Sequence, residues 1–235
     1  MKVFVLCGGQ GTRLRPLTYE NPKPMLRVGG KTILEYVIAN LKKQGIKDTV
    51  LTVGYLKEKI KAYFGDGKKF GVNIEYLEEE YERFTAGSIL PYKGKIKEDF
   101  AVLMGDQITD IDLNKMMEFH KKNKGIATIA LKRKTYKWEY GIAELKGNLV
   151  LGFKEKPEIE SYINTAIYCF KPEIFDYIND REDFAKNVFP KLLEKKKKII
   201  AYFMEENWVD IGRMSDYEEI NKNLERIGFT KKFLS

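Results

Sequence analysis

The chain has 235 residues, of which 43% are hydrophobic, and this suits one large globular α/β domain with a substantial core. No apolar run approaches the roughly 20 residues that span a bilayer, and no cleavable signal precedes the first predicted strand, so we expect a cytoplasmic protein with no membrane partner. The formal net charge is +8 at pH 7, but the lysines are interleaved with glutamates, which favours a solvated surface and predicts no nucleic-acid partner.

Short β-branched runs alternate with amphipathic segments in the first half of the chain, which is typical of βαβ units and a mostly parallel sheet. The predicted strands are Lys2–Cys7, Thr49–Val53, Val72–Tyr76, Phe100–Met104 and Ile126–Lys132. The predicted helices are Thr32–Lys43, Lys57–Phe64 and a segment that Asp112 N-caps and that ends near Lys122. This order predicts a nucleotide-type α/β unit.

The second half, from Tyr140 onward, is richer in strands. These are Gly141–Leu145 and Leu149–Phe153, which flank the hairpin signal Gly147-Asn148, then Thr165–Phe170 and Ile199–Met204. Helices are predicted near Pro172–Ile178, over Phe184–Leu193 and from Ser215. We therefore predict a single α/β domain, a Rossmann-like three-layer sandwich with a mixed, mostly parallel sheet, whose β-rich second part forms the other wall of a cleft.

A glycine-rich loop, Gly8–Arg15, follows the first strand at the C-terminal edge of the predicted sheet, where open α/β folds bind ligands. Backbone N–H groups approach an anion closely where side chains are absent, as they are at Gly8, Gly9 and Gly11. Arg13 or Arg15 adds a planar, charged clamp for phosphate oxygens. The loop therefore predicts polyphosphate binding.

Two better-known phosphate motifs do not fit this sequence. The dinucleotide fingerprint needs a further glycine that opens a helix, but Leu14 stands in that place and Pro16 breaks the helix. Gly30-Lys31-Thr32 matches the end of a Walker A motif, but Met25 occupies the position of its first glycine. We interpret Lys31-Thr32 as the start of a helix.

Lys23 lies between Pro22 and Pro24, and these prolines predict an extended backbone that presents the lysine as a fixed charge for a phosphate. Taken alone, the segment is more typical of an exposed lysine in a turn.

The cysteines and the histidine predict no metal centre. Cys7 and Cys169 lie in apolar stretches without metal-ligand spacing, and we expect both to be buried. His120 is the single histidine, which argues against a histidine-based zinc site and a Ser-His-Asp triad.

The loop and the segments that follow it resemble the sugar-1-phosphate nucleotidyltransferases, also called nucleotide-sugar pyrophosphorylases. The family signature Gly-Gly-x-Gly-Thr-Arg-Leu-x-Pro-Leu-Thr, followed by Pro-Lys-Pro-Met, is intact at residues 8–18 and 22–25. Further family motifs follow in order at Thr85-Ala86-Gly87, Gly105-Asp106, Tyr140-Gly141-Ile142, Glu155-Lys156-Pro157, Asn164-Thr165 and Trp208–Gly212. The resemblance covers nearly the whole chain and is to the catalytic domain only.

The resemblance implies that a sugar-phosphate oxygen attacks the α-phosphorus of a nucleoside triphosphate and releases pyrophosphate. The predicted partners are therefore a nucleoside triphosphate and a sugar 1-phosphate. The implied nucleotide-binding residues are Leu6, Gly8, Gly9, Gly11, Thr12, Arg13, Glu79, Thr85, Ala86 and Gly105. The implied sugar-phosphate residues are Lys23, Gly141, Glu155, Lys156, Asn164 and Thr165. The nucleotide-binding part would span residues 1–135 and the sugar-phosphate part residues 136–235.

Several negative charges converge in this reaction, so the site needs cations. The implied cofactor is Mg²⁺, which proteins hold with one or two carboxylates together with substrate phosphates. Asp106 and Asp210 are the implied ligands, and each ends a predicted strand, so we expect them to meet at one sheet edge. Arg13 would steady the leaving pyrophosphate, while Lys23 and Lys156 hold the sugar phosphate. The predicted catalytic residues are Arg13, Lys23 and Asp106, and no protein nucleophile is required.

Two positions depart from the family pattern. Phe84 stands where the family usually has glycine before Thr85, and we expect it to reshape the base pocket. Ala166 stands where a glycine often follows the Asn-Thr pair.

The base and the sugar stay open. The acidic stretch Glu78–Glu80 resembles guanylyltransferases more than thymidylyltransferases, and a carboxylate acceptor suits guanine, so GTP with mannose 1-phosphate is our first choice. UTP or dTTP with glucose 1-phosphate is the alternative, and a heptose or amino-sugar phosphate also stays open. The rival hypotheses are an inactive nucleotide-sugar sensor and a P-loop kinase that uses Lys31. The sequence leaves the oligomeric state open, a homo-oligomer included.

Overall fold

A computed structural model describes residues 1–223 and has a central sheet flanked by helices. The strands are β1 (Val3–Leu6), β2 (Arg27–Val28), β3 (Lys31–Thr32), β4 (Asp48–Val53), β5 (Asn73–Glu78), β6 (Phe100–Met104), β7 (Gln107–Thr109), β8 (Ala127–Lys137), β9 (Ile142–Lys146), β10 (Leu149–Lys154), β11 (Glu158–Phe170), β12 (Ile199–Phe203) and β13 (Trp208–Asp210). The α-helices are α1 (Ile33–Lys43), α2 (Lys57–Phe64), α3 (Phe84–Gly87), α4 (Leu113–Asn123), α5 (Phe189–Glu194) and α6 (Met214–Asn223).

Seven strands form the main sheet, in the order β12-β8-β11-β6-β1-β4-β5. Strand β11 is antiparallel to both of its neighbours, and the other four pairings are parallel. The predicted mixed, mostly parallel sheet is therefore confirmed. Within residues 1–223, no helix combines the length and the apolar character that crossing a bilayer requires.

Each face of the sheet carries its own core, because side chains alternate across a strand. Val3 and Val5 of β1 pack with residues of α1, α2 and α4, whereas Phe4 and Leu6 pack on the opposite face with Ala86 and with the segment around α5. This arrangement confirms the three-layer α/β sandwich.

Helix α1 begins where the sequence indicates. The Thr32 hydroxyl accepts a hydrogen bond from the Glu35 N–H at 3.2 Å, and the Glu35 carboxylate accepts one from the Thr32 N–H at 2.6 Å. This capping box stabilises the first turn. Lys31-Thr32 is therefore a short strand that leads into a capped helix, and the segment does not form a phosphate-binding loop.

Strands β8 and β11 are longer than their predicted segments. They pair as an antiparallel ribbon from Glu158↔Lys137 to Asn164↔Leu131, with an irregularity in register before Tyr168. The ribbon carries charged side chains on both faces, so it lacks the apolar alternation that marks a half-buried strand. The predicted helix Phe184–Leu193 also differs, because it starts as a π-helical turn, Phe184–Val188, before α5.

A small ribbon of β7 and β13 brings Trp208–Asp210 next to the end of β6 in the main sheet. Asp210 pairs in register with Gln107, and Trp208 pairs with Thr109. Strand β7 was not predicted, because three residues are too few to show a periodicity. The ribbon places Asp210 next to the loop that follows β6.

Candidate active site

The glycine-rich loop leaves β1 and enters a 3₁₀ turn over Thr12–Leu14. Gly11 has φ +62°, and a Cβ there would lie 2.9 Å from Thr18 Cγ2 and 3.2 Å from Lys23 Cβ. The Thr18 hydroxyl donates to the Gly11 carbonyl at 2.9 Å. Glycine is therefore required at this position both by conformation and by space.

A cavity of about 220 Å³ lies beside this loop, and we call it the Arg13 cavity. Its lining is Cys7, Gly9, Gly11, Thr12, Arg13, Leu14, Lys23, Pro24, Asp106 and Gly212. The structure thus brings together the three predicted catalytic residues. It also separates the two arginines, because the Arg15 guanidinium stacks on the Tyr19 ring at 5.1 Å and does not line this cavity.

Lys23 is buried, with 8% of its surface exposed. Its Nζ lies 2.5 Å from Asp106 Oδ2 and 3.9 Å from Asp210 Oδ1. The expectation of an extended backbone at Lys23 was wrong, because Lys23 opens a 3₁₀ turn that the Met25 N–H closes on the Pro22 carbonyl at 2.8 Å. That hydrogen bond outweighs the preference of a residue before proline for extended geometry.

Asp106 and Asp210 meet at Lys23. Asp106 lies in the turn between β6 and β7, and Asp210 ends β13, which pairs with β7. Burial and the nearby charge of Asp106 raise the pKa of Asp210, while Lys23 and Arg13 oppose that rise. The expectation that the two aspartates would approach each other at the sheet edge is therefore met through the β7–β13 ribbon and not through the main sheet alone.

Asp106 and Asp210 are carboxylates at this point that could hold a metal. Among residues 1–223 there is no cluster of three or more histidine, cysteine or acidic side chains arranged for a metal. Lys23 and Arg13 balance the two carboxylates in formal charge, and the carboxylates supply oxygen donors. This donor set fits Mg²⁺, which takes oxygen ligands and commonly completes its shell with water and substrate phosphates.

A second cavity, of about 160 Å³, lies next to the first, and we call it the Phe84 cavity. It shares Gly9 with the Arg13 cavity, and its lining is Leu6, Gly8, Gly9, Thr52, Glu79, Glu82, Phe84, Thr85, Ser88, Met104 and Asp183. Five predicted nucleotide-binding residues are among them: Leu6, Gly8, Gly9, Glu79 and Thr85. The two cavities form neighbouring sites along the loop.

Glu79 is the titratable group most affected by this environment. Burial raises the pKa of its carboxyl to about 7, against the opposing influence of Arg83. A Cβ at Gly8 would lie 2.9 Å from Glu79 Oε2, so a glycine at position 8 makes room for this carboxylate. Glu79 therefore changes its charge near neutral pH.

Sequence reasoning missed Thr52 and Met104 in this cavity. In the parallel sheet both residues pair in register with Leu6, from strands on its two sides. Thr52 and Met104 could have been identified only from the strand order. The Thr52 hydroxyl is buried and makes no hydrogen bond within the described part of the chain.

Hydrogen bonds to a loop from the second half of the chain anchor the Thr85-Ala86-Gly87 segment. The Thr85 hydroxyl donates to Asp183 Oδ2 at 2.8 Å and accepts from the Phe184 N–H at 2.9 Å. The N–H groups of Ala86 and Gly87 both donate to the Glu182 carbonyl, at 2.9 and 3.0 Å. Ala86 is fully buried and lines neither cavity, so in this structure its role is to dock the segment.

Gly105, also predicted to bind nucleotide, lines neither cavity. Its N–H donates to the Leu6 carbonyl at 2.9 Å, and a Cβ there would overlap Cys7 Sγ. The glycine thus lets β6 and β1 pass closely at the point where Asp106 turns toward Lys23.

The predicted sugar-phosphate residues of the second half lie outside both cavities. Gly141 and Glu155 are neighbours, since a Cβ on Gly141 would lie 2.6 Å from Glu155 Oε2. Lys156 is exposed, with φ +42°. Asn164 donates to the Tyr168 hydroxyl at 3.0 Å, whereas the Thr165 side chain is fully buried and donates to the Ala130 carbonyl at 2.8 Å. Only Lys23 of the predicted sugar-phosphate set lines the Arg13 cavity.

A third cavity, of about 560 Å³, has Asp210 in its lining, whereas the first two cavities do not. Its other walls come from the β8–β11 ribbon, at Lys134 and Tyr136, and from α6, at Asp216 and Glu219. The surface around Asp210 therefore opens onto a cavity lined by the β8–β11 ribbon and α6.

Residues 2–227 match the family model described as nucleotidyl transferase. The chain belongs to the nucleotidyl transferase family. The resemblance inferred from the glycine-rich loop and the later motifs is thus confirmed.

Nucleotidyl transferases with different substrates are among the relatives. The chain is 35% identical to a UTP–glucose-1-phosphate uridylyltransferase of Synechocystis, over 92% of this chain and 61% of that protein. It is 34% identical to the mannose-1-phosphate guanylyltransferase of Mycobacterium tuberculosis, over 94% of this chain and 64% of that protein. It is 36% identical to a D-glycero-α-D-manno-heptose 1-phosphate guanylyltransferase of Campylobacter jejuni, over 92% and 97% of the two chains.

The fold of this nucleotidyl transferase is similar to that of solved structures. The crystal structure of HddC from Yersinia pseudotuberculosis superposes with a TM-score of 0.76 at 24% sequence identity, over 95% of this chain and 99% of the other. The chain spans about three fifths of the uridylyltransferase and of the mannose-1-phosphate guanylyltransferase, but almost all of the heptose enzyme. Family membership therefore leaves the base and the sugar undecided.

Proposed function

We propose that this nucleotidyl transferase transfers a nucleotidyl group from a nucleoside triphosphate to a sugar 1-phosphate, with release of pyrophosphate and with Mg²⁺ as cofactor. One observation carries the proposal. Lys23, Asp106 and Asp210 form a charged cluster beside Arg13 and the glycine-rich loop. A reaction between two phosphate-bearing substrates needs such converging cations and metal-binding carboxylates.

Each residue of this cluster has a definite task in the proposal. Arg13, in the 3₁₀ turn after the loop, clamps the terminal phosphates and stabilises the charge that builds on the leaving pyrophosphate. Lys23, held on the rigid Pro22–Met25 turn, holds the sugar phosphate in position for attack. Asp106 and Asp210 would hold Mg²⁺, which when bound would neutralise phosphate charge. Catalysis then depends on positioning and on charge stabilisation.

The Phe84 cavity is the proposed base site, and GTP is the proposed triphosphate. Ionised Glu79 offers two acceptor oxygens, and the Watson–Crick edge of guanine offers the N1–H and the N2 amino group as donors. The mannose and heptose guanylyltransferases among the relatives support this choice, and both of their sugars have the manno configuration in name. Mannose 1-phosphate is accordingly the proposed acceptor.

UTP or dTTP with glucose 1-phosphate is the second candidate, because a UTP–glucose-1-phosphate uridylyltransferase is similar to the same extent.

The proposed nucleotide site draws on both halves of the chain. Residues 1–135 supply most of the nucleotide site, but Asp183 of the proposed sugar-phosphate part, residues 136–235, lines the base site as well.

A substrate matrix tests the proposal. GTP, UTP, dTTP, ATP and CTP are each mixed with mannose, glucose and heptose 1-phosphates and Mg²⁺, and pyrophosphate release is measured. We expect the highest kcat/KM for GTP with mannose 1-phosphate and no turnover after chelation of Mg²⁺. Absence of pyrophosphate from every pair would contradict the proposed activity, whereas a best pair of UTP and glucose 1-phosphate would replace only the substrates.

A further inference from the structure

Phe84 combines a costly backbone conformation with an exposed aromatic side chain. Its φ is +58°, in the left-handed region where bulky residues are rare because Cβ clashes with the backbone. Its surface is 50% exposed, and its side chain lines the cavity that carries its name. Backbone outliers of this kind cluster at functional sites, so the contacts around Phe84 bear on its role.

The surroundings hold Phe84 in this conformation. The residue that follows is tied to Asp183 and Phe184 through the Thr85 hydroxyl, and the next two N–H groups are tied to the Glu182 carbonyl. On the other side, Arg83 pairs with Asp180 at 3.3 Å. These contacts anchor the backbone on both sides of Phe84, which lines the cavity with half of its surface exposed.

The cavity below this ring suits a flat ligand with a polar edge. Leu6 and Met104 supply apolar surface, while the Glu79 carboxylate supplies a polar group. An aromatic ring at the rim adds a stacking surface, and nucleobases stack on aromatic side chains irrespective of their hydrogen-bonding pattern. A packing role alone does not account for Phe84, because half of its surface is exposed.

We propose that Phe84 is a base-binding residue that stacks on the nucleobase of the triphosphate. This inference rests on the proposed function and adds to it a contact that the usual glycine at this position cannot make. Stacking contributes to the binding of every base and contributes most to purines, which have the larger ring system. The hydrogen-bonding groups below the ring then discriminate among bases.

Equilibrium binding in the absence of sugar phosphate tests this role. The probes are GTP, UTP and inorganic tripolyphosphate, each with Mg²⁺, measured by titration calorimetry on the full chain. For Phe84→Ala and Phe84→Gly we expect the dissociation constant of GTP to rise about tenfold, as loss of one base–aromatic stack predicts. The rise for UTP should be smaller, and tripolyphosphate, which has no base, should bind as it does to wild type. Phe84→Tyr should restore GTP binding.

Thermal unfolding separates binding from structure. Phe84→Gly removes the left-handed strain, so this variant should melt at a higher temperature than wild type although it binds GTP more weakly. The matched control is Phe203→Ala, which truncates a 60% exposed phenylalanine on the edge strand β12 and should leave GTP binding unchanged.

Unchanged GTP affinity in both Phe84→Ala and Phe84→Gly would overturn the inference, provided that the wild type binds GTP. Equal weakening of GTP and tripolyphosphate would overturn it too, because Phe84 would then act on the glycine-rich loop. A wild-type chain that binds no nucleotide and releases no pyrophosphate would instead remove the proposed function and this inference with it.

Discussion

Lys23 and Asp106 form an ion pair across 83 residues of the chain, with 2.5 Å between Lys23 Nζ and Asp106 Oδ2. Both side chains are largely shielded from solvent, at 10% and 23% exposure. Water screens such a pair less than it screens a surface pair. The pair joins the proline-flanked turn after the glycine-rich loop to the end of a central strand, and it places a cation and a carboxylate at one point of the Arg13 cavity.

Asp106→Asn and Asp210→Asn should each lower the rate of pyrophosphate release by about 10²–10³-fold, as removal of a group that stabilises developing charge does in other enzymes. Asparagine keeps the size and one acceptor oxygen, so both variants should stay folded by circular dichroism. The matched control is Asp112→Asn, because Asp112 N-caps α4 through the Lys115 N–H at 2.9 Å and asparagine caps equally well. A near-normal rate in either site variant would remove that residue from the mechanism.

Arg13→Ala should lower turnover at saturating substrate by about 10²-fold, because the variant loses a planar clamp on the leaving phosphates. Lys31→Ala should retain the wild-type rate, because Lys31 lies on the short β3 strand ahead of the capped helix α1. Steady-state assays of both variants, side by side, check this pair. The reverse result, an inactive Lys31→Ala with an active Arg13→Ala, would favour the P-loop hypothesis.

Glu79→Gln should shift the base preference. The amide keeps the shape but offers one acceptor oxygen in place of two, so kcat/KM for GTP should fall about 10- to 100-fold, and the value for UTP should change little. The carboxyl of Glu79 has its pKa raised to about 7 by burial, so in wild type the affinity for GTP should fall as the pH drops from 8 to 6. A GTP affinity with the same pH profile in wild type and in Glu79→Gln would contradict this role.

Glu79 should also make the folded state less stable as pH rises. Its pKa in the folded protein is above the ordinary value for glutamate, so between that value and about 7 the native state binds more protons than the unfolded state does. The free energy of unfolding therefore decreases through this window and levels off above it. Glu79→Gln should melt at a higher temperature than wild type at pH 8, and the difference should vanish near pH 4. Denaturation curves at pH 8 and near pH 4 measure the difference in stability between the variant and wild type. The same difference at both pH values would show that ionisation of Glu79 does not contribute to it.

Most of the fold could be predicted because local rules mark its elements. Helix α2 and strand β6 have the predicted limits, Asp112 caps the helix that it was expected to cap, and the helix expected to start at Thr32 starts there with Thr32 as its N-cap. The failures have physical causes. The part of β8 and β11 that extends beyond the predicted segments carries polar side chains on both faces. Lys23 lies in a 3₁₀ turn because a hydrogen bond outweighs the preference of a residue before proline for an extended backbone.

The two departures from the family pattern, Phe84 and Ala166, share one backbone conformation. The sequence marks Phe84 and Ala166 as residues that replace usual glycines, and in the structure both have φ +58°. Glycine adopts a left-handed backbone without strain, so the residue type expected at both positions is the one that this backbone favours. The sequence alone gives no means of telling that the Phe84 ring lies at the rim of a cavity.

By itself the sequence determined the glycine-rich loop, the family and the alternation of strands and helices, because glycine, proline, caps and apolar periodicity act within a few residues. Only the tertiary structure decided which distant side chains share a site. Lys23 meets Asp210 through the β7–β13 ribbon, Thr85 meets Asp183, and Thr52 lies in register with Leu6. These contacts depend on strand order and register, which are set by how the whole core packs and not by any local pattern.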